Sequence, residues 1–392
     1  MRSARLKELG EIITGNTPKT SEIQNYESDD ICFVKPSDID DKSISKLKNS
    51  EYYISEYARK SARIAPKHSI LVTCIGTIGK IAILENECAF NQQINAIIPD
   101  EKQVYPLYLA YNMFFQKKYL QQKANAPVVP IINKTDFGDF KIKLHNLIEQ
   151  QKIIDVLDKI ENLIDNRQQQ LKLLDELIES RFIEMFGDPV TNPMGWTNDS
   201  MGKYMTVLTD FSANGSYEYL DSNVIMYDEP NYALMVRTTD LENNDFEHNV
   251  KYIDENAYNI LSKSKIFGNE MIMNKIGSAG KIYLMPCLNR PVSLGRNAFL
   301  FRFNDNINIV FLYNFLMTEY GNKEIMKHVR GAVTKTITKE AVRAIQIIVP
   351  PIELQNKFAA FVEQVEKTKS TIKKSLEELN LLKDSLMQKY FG

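Results

Sequence analysis

Apolar positions along the 392-residue chain fall into two kinds of pattern, and each kind occurs twice. The first is a helical stripe. In "NLIEQQKIIDVLDKIENLIDNRQQQLKLLDELIESRFIEMFG" Ile153, Leu157, Ile160, Ile164, Leu171, Leu174 and Ile178 follow steps of four and three, with Arg167 and Arg181 interrupting and Met185 closing the series. That spacing is the a/d seam of a coiled coil. "IELQNKFAAFVEQVEKTKSTIKKSLEELNLLKDSLMQKYFG" repeats it through Phe358, Val362, Val365, Ile372, Leu376, Leu379 and Leu386, with Lys369, Lys383 and Tyr390 on the same line. Neither stretch has glycine or proline inside. The second pattern is short apolar runs with turn residues between them. "DDICFVKPSDI", "SILVTCIGTIGKIAIL" and "QINAIIP" predict strands, while "PLYLAYNMFFQKKYLQQKAN" and "IVFLYNFLMTEYGNKEIMKHV" predict one helix each.

The repetition runs deeper than periodicity. "IGTIGKIAIL" at 75–84 returns as "IGSAGKIYLM" at 276–285 with five of ten positions identical. The helical stretches end at Gly187 and Gly392, 205 residues apart, and "VKPSDID" at 34–40 answers "VRTTDLE" at 236–242. The chain is therefore two copies of one unit, each a mixed α/β (α+β) domain followed by a long helix. The boundaries predicted are 1–147, 148–187, 188–350 and 351–392, with "GDPVTNPMGW" (187–196) as linker. Isolated long helices are marginal, so the two bury their seams on each other. The order domain–helix–domain–helix makes them antiparallel, related by an approximate two-fold axis. At 1.5 Å per residue, about 35 helical residues would separate the domains by roughly 50 Å.

Charge supports this pairing and suggests a ligand. Residues 148–187 carry five basic and nine acidic residues, and residues 351–392 seven and six, so an acidic helix faces a faintly basic one. The whole chain has net charge −2, yet its bases are clustered. Arg59, Lys60, Arg63, Lys67 and Lys80 lie in 57–84 with no acid, and Lys102, Lys117, Lys118, Lys123 and Lys134 in 102–135 with none. Residues 265–302 hold six bases against Glu270 alone. Such tracts can hold phosphate on a neutral molecule.

Several chemistries are disfavoured. The glycine element is no P-loop: its glycines are three apart, and Lys80 and Lys281 precede Ile81 and Ile282 instead of the hydroxyl that would hold magnesium. It reads as a strand–turn–strand in which glycine supplies positive φ. Cys32, Cys74, Cys88 and Cys287 have no C-x-x-C spacing, and His68, His145, His248 and His328 are scattered, so no metal site is expected. "DEPNY" (228–232) faintly echoes the D-P-P-Y motif of amino-methyltransferases but lacks a glycine-rich cofactor strand and a counterpart in the first half. No catalytic group is nominated. The N-terminal segment lacks the apolar core of a signal peptide and no run is long enough to span a bilayer, which predicts a cytoplasmic protein without membrane contact.

The ordered, duplicated motifs "GNTPKT", the glycine pair, "PVVPIINKTDF" with "AVTKTITKEAV", "NLIEQQKI" and "FGDPVTNPMGW" resemble the specificity subunit of type I restriction–modification systems across nearly the whole chain. The resemblance implies two α/β target-recognition domains, each reading one half of a bipartite site in double-stranded DNA. It implies two antiparallel coiled-coil helices that set the gap and hold two methyltransferase subunits. It also implies that this chain binds no cofactor: S-adenosylmethionine would sit in the methyltransferases, and ATP and Mg in two restriction subunits. A two-domain scaffold that binds only proteins, and a methylation-only system without restriction subunits, remain the alternatives.

Arg and Lys suit guanine, Asn and Gln suit adenine, and Lys, Arg and glycine-turn N–H groups suit phosphate. On those grounds the DNA-binding candidates are Lys35, Ser37, Thr77, Lys80, Asn91, Gln92, Gln93 and Lys134 in the first half. In the second they are Arg237, Thr238, Thr239, Ser278, Lys281, Arg296, Asn297 and Lys335. Gly76, Gly79, Gly277 and Gly280 are expected to shape the turns.

Overall fold

The computed structural model describes residues 2–124 and 129–392. Met1, Asn125 at the end of the first expected domain helix, and Pro127 and Val128 at the start of "PVVPIINKTDF" lie outside the described residues.

The chain divides into two compact units, 1–168 with 373–392, and 169–372. The division falls inside the long helices, Leu147–Phe186 and Ile352–Phe391, each of 40 residues. The expected linker, 187–196, lies wholly within the second unit. It is also tied down: Trp196 Nε1 donates to Phe186 O at 2.8 Å and Asn192 Nδ2 to Trp196 O at 2.8 Å. The Pro/Gly/Asn composition forms a turn that finishes the helix.

Among the described residues the two units share one topology apart from an additional edge strand, Ser45–Leu47, in the first. In the first, a five-stranded sheet runs in the order Gly10–Thr14, Ile94–Pro99, Ile70–Thr73, Ile81–Leu84, Ser45–Leu47. A four-stranded sheet orders Tyr52–Ile54, Ile31–Val34, Cys88–Phe90, Ile64–Ala65. The second unit repeats these as Met205–Asp210, Ala298–Phe303, Met271–Asn274, Ile282–Leu284, and as Lys251–Ile253, Ala233–Val236, Val292–Leu294, Lys265–Ile266. In the two sheets built around Ile31–Val34 and Ala233–Val236 the two middle strands are parallel (Cys32 opposite Cys88, Met235 opposite Ser293). The strands that carry the core are buried on both faces, which is why they read as unbroken apolar runs.

Each expected domain helix is in fact two. The first breaks at Gln116, between Pro106–Phe115 and Lys117–Gln122. The second breaks at Thr318, whose extended backbone and hydroxyl cap a new helix by accepting from Gly321 N. The cap outweighs the continuous helical pattern.

The long helices pack antiparallel within each unit. Ile153 and Leu157 share a core with Met387 and Phe391; Ile178, Phe182 and Phe186 share one with Phe358, Val362 and Val365. Ile160, Ile164 and Ile372 are buried, and Leu171, Leu174, Leu376, Leu379 and Leu386 half-buried. At both C-terminal ends the buried stripe moves by one residue. Phe182 and Phe186 are buried where Arg181 and Met185 were expected, and Met387 and Phe391 where Leu386 and Tyr390 were. A straight helix drifts about 20° per heptad from a 3.5-residue repeat. Here the drift turns those rings onto the α/β domains: Phe186 lies 4.7 Å from Phe311, and Phe391 5.4 Å from Tyr108, between ring centroids. Each such burial stabilises by about 2–3 kcal/mol.

One buried glutamine opens each long helix. Gln150 Oε1 accepts from Tyr105 N at 2.9 Å, while Nε2 donates to Gln103 O and His145 O. Gln355 Oε1 accepts from Asn308 N at 2.9 Å, while Nε2 donates to Asn306 O and Pro350 O. Tyr105 and Asn308 are the N-caps of the domain helices, so each glutamine fixes the long helix to its own domain.

Candidate nucleic-acid interface

In the first unit the glycine element is the turn of the Ile70–Thr73/Ile81–Leu84 hairpin. Thr73 N donates to Lys80 O at 3.1 Å and Gly79 N to Thr73 O at 2.9 Å, closing it. Gly76 and Gly79 have φ of +77° and +85°, a left-handed conformation that only glycine takes cheaply. A Cβ at Gly79 would also meet Lys117 Cγ at 2.9 Å, whereas at Gly76 nothing lies within 4 Å. At Gly76 the backbone angle alone demands glycine.

Three further segments meet this turn. Cys74 N donates to Gln93 O at 2.8 Å, Gly76 N to Pro130 O at 3.0 Å, and Ile132 N to Cys74 O at 2.9 Å. Asn91 N donates to Val34 O at 3.1 Å, which brings in Lys35 and Ser37. The second unit repeats the arrangement. Gly277 and Gly280 have φ of +79° and +89°. Lys275 N donates to Asn297 O at 2.8 Å, Gly277 N to Lys335 O at 2.9 Å, Ile337 N to Lys275 O at 3.1 Å, and Gly295 N to Val236 O at 2.7 Å. In each unit the backbone gathers the candidate residues on one sheet edge.

Their side chains differ in what they have left to offer. Ser37, Thr77, Gln92, Lys134, Thr239, Ser278, Lys281, Asn297 and Lys335 are exposed. Lys80 is engaged: its ammonium donates to Pro36 O and Ile39 O, both at 2.9 Å, tying the turn to the neighbouring loop. Lys35 Nζ sits 3.0 Å from the Tyr52 ring centroid. Asn91 is buried and bonds Gln93 through both amide atoms, and Gln92 Oε1 accepts from Thr17. Arg237 grips Asp240 through Nε at 3.2 Å and Nη2 at 2.7 Å. Arg296 bonds Asp221 at 2.9 Å and lies over Phe211 and Tyr217. Lys281 is only 3.6 Å from Glu242 and half exposed.

Sequence reasoning missed the group under the second turn. Asp210, buried, receives Lys275 at 2.7 Å and Lys339 at 2.8 Å. Burial alone raises the Asp210 carboxyl, but the two ammonium groups together outweigh it and hold it below the usual range. Lys339 is the counterpart of Lys134, each opening a short helix after an N-cap (Asn133, Thr338). Aligning "NKTDF" with "TKEAV" would have found it; Lys335 instead stands where the first unit has Pro130. Lys134 has no ion-pair partner among the described residues, so the two edges present their lysines differently. Burial pushes the Cys74 thiol beneath the first turn up to about 12. Among the described residues no cluster of His, Cys, Asp and Glu could hold a metal ion, and no helix is long and apolar enough to cross a membrane.

The chain has known relatives. The family model for the type I restriction modification DNA specificity domain matches residues 1–176 and again 200–381, so the chain belongs to that family, with one copy in each half. It is similar to the type I restriction enzyme MjaIX specificity subunit of Methanocaldococcus jannaschii, 24% identical across 98% of this chain and 91% of the relative. The HindI specificity subunit of Haemophilus influenzae is 31% identical over 41% of this chain and 37% of its own length. The fold resembles the S subunit of a type I restriction–modification system from M. genitalium, with a TM-score of 0.58 at 14% identity over 100% of this chain and 96% of that one.

Proposed function

We propose that this chain is the DNA sequence-specificity subunit of a type I restriction–modification complex, each α/β domain reading one half of a bipartite site. The observation that carries the reading is the duplicated edge, where a glycine turn and three loops present hydroxyl, amide and lysine groups in both family domains. Exposed lysines hold phosphate, and short polar side chains beside them meet base edges. The antiparallel helices set the gap and dock two methyltransferase subunits, which supply S-adenosylmethionine and methylate adenine. Two restriction subunits supply the ATP- and Mg-dependent cutting. The chain does no chemistry itself. The test is co-expression with the cognate methyltransferase followed by mapping of methylated adenines: a bipartite motif that appears only with this chain supports the reading, and a methylation pattern indifferent to it contradicts the reading. The isolated chain with S-adenosylmethionine should methylate nothing.

A further inference from the structure

We propose that the second unit carries a pocket for a single nucleobase rotated out of the DNA stack. The inference rests on the DNA-specificity reading and adds a binding site to it. A cavity of about 290 Å³ opens between the 237–239 and 295–297 segments of the candidate edge. Its depth is apolar, with Phe211, Val224 and Met235 all buried. The volume sits at the small end of the roughly 300–1,000 Å³ usual for ligand pockets, enough for one small planar group.

Charge at the mouth selects the kind of ligand. Arg237 is matched by Asp240 at 2.7 Å and Arg296 by Asp221 at 2.9 Å, so the rim is locally neutral and poorly suited to a phosphate. A neutral ring with a hydrogen-bonding edge fits better. The Arg296 guanidinium, 5.2 Å from the Phe211 ring centroid and 5.4 Å from that of Tyr217, offers a plane on which a base can stack. The groups with unspent hydrogen bonds are the Thr238 hydroxyl and the Asn297 amide, neither of which has a side-chain partner among the described residues. An amide can meet a purine edge with one donor and one acceptor. Asn297 is fixed in place: its φ is +69° and its carbonyl accepts from Lys275 N. A base leaves a duplex most readily where a protein supplies stacking and edge contacts in exchange. Arg237, held by Asp240, acts here as a positioning residue, while Arg296, held by Asp221, meets the base directly.

The test uses the complex of this chain with its methyltransferase, on duplexes carrying the mapped site with a fluorescent base analogue at one position at a time. The expected result is a several-fold fluorescence rise at one position other than the methylated adenine. Thr238→Phe, which fills the mouth, should abolish that rise and leave the one at the methylated adenine. Asn297→Gly, which keeps the left-handed backbone, should lower discrimination at that position roughly tenfold. Thermal melting checks that each variant is folded, and Asn297→Gly carries the test if Thr238→Phe is not. Sequence-selective binding with no such rise, or with a rise that both variants leave intact, overturns the pocket and spares the specificity reading. A complex that selects no sequence overturns both.

Discussion

Lys369 Nζ lies 2.7 Å from Asp175 Oδ1, joining the C-terminal helix to the central one. Fourteen residues back along the central helix and fourteen forward along the other, Lys383 meets Glu161 at 2.6 Å. Each pair lies within its own unit, and each joins the two long helices there. Both lysines occupy seam positions, and their stems are largely buried while their ends reach acids on the partner. Asp175 is well exposed, so the coupling is small. A double-mutant cycle with Asp175→Asn and Lys369→Met in chemical unfolding should give about 0.5–1 kcal/mol. Additive single variants would show that the contact does not fix the register.

The helix-opening glutamines are a stronger device. Gln355→Leu takes the buried partner from Asn308 N, Asn306 O and Pro350 O, and Gln150→Leu does the same to Tyr105 N, Gln103 O and His145 O. Each should cost about 3 kcal/mol. Gln151→Leu, one residue along and exposed, should stay within roughly 0.5 kcal/mol. Equal effects at Gln150 and Gln151 would remove the clamp from the account.

The exposed lysines should separate from Lys80 by salt. Lys134→Ala, Lys335→Ala and Lys281→Ala remove exposed ammonium groups at the edge, the last of them weakly paired with Glu242, so each should lower the slope of log affinity against log salt by about 0.9 if it contacts one phosphate. Lys80→Ala should leave that slope unchanged and lower stability instead, since it unties the turn from Pro36 and Ile39. Equilibrium binding across a salt series distinguishes the four.

Asp210 gives a pH test. Its carboxyl is held below the ordinary value of 3.8, so its ion pairs stabilise the second unit at neutral pH. That contribution is present above 3.8 and is lost as pH falls through the depressed folded value. Asp210→Asn should therefore destabilise at pH 7 and narrow its difference from the parent as pH drops below the ordinary carboxylate range. A constant difference down to strongly acidic pH would contradict the assignment.

The repeat, the helices and the glycine turns were legible because each leaves a local pattern: Ile153 to Ile178 keep a spacing, and Gly76 and Gly277 recur in a shared motif. The gathering of Lys35, Gln93 and Lys134 onto one edge depended on long-range backbone bonds such as Gly76 N to Pro130 O, which no local pattern encodes. The state of each side chain was less legible still. Lys80 and Lys281 occupy one motif position, yet the first is spent on two carbonyls and the second is half exposed beside Glu242, because the loops they meet differ between the halves. Nothing local to Gln150 and Gln355 marks their burial, because the N-cap groups they meet, Tyr105 N and Asn308 N, lie 45 and 47 residues away.

If two independent readers are spaced by helices, inserting one heptad at Gln168–Gln170 moves the readers without changing what each one reads. Seven residues restore the seam and add about 10 Å of helix. On B-DNA that is near three base pairs at 3.4 Å each. The measurement is genome-wide sequencing of methylated adenines in cells carrying the cognate methyltransferase with either the parent chain or the heptad variant. The expected result is the same two half-sites separated by a longer gap. Altered half-sites with an unchanged gap would contradict it.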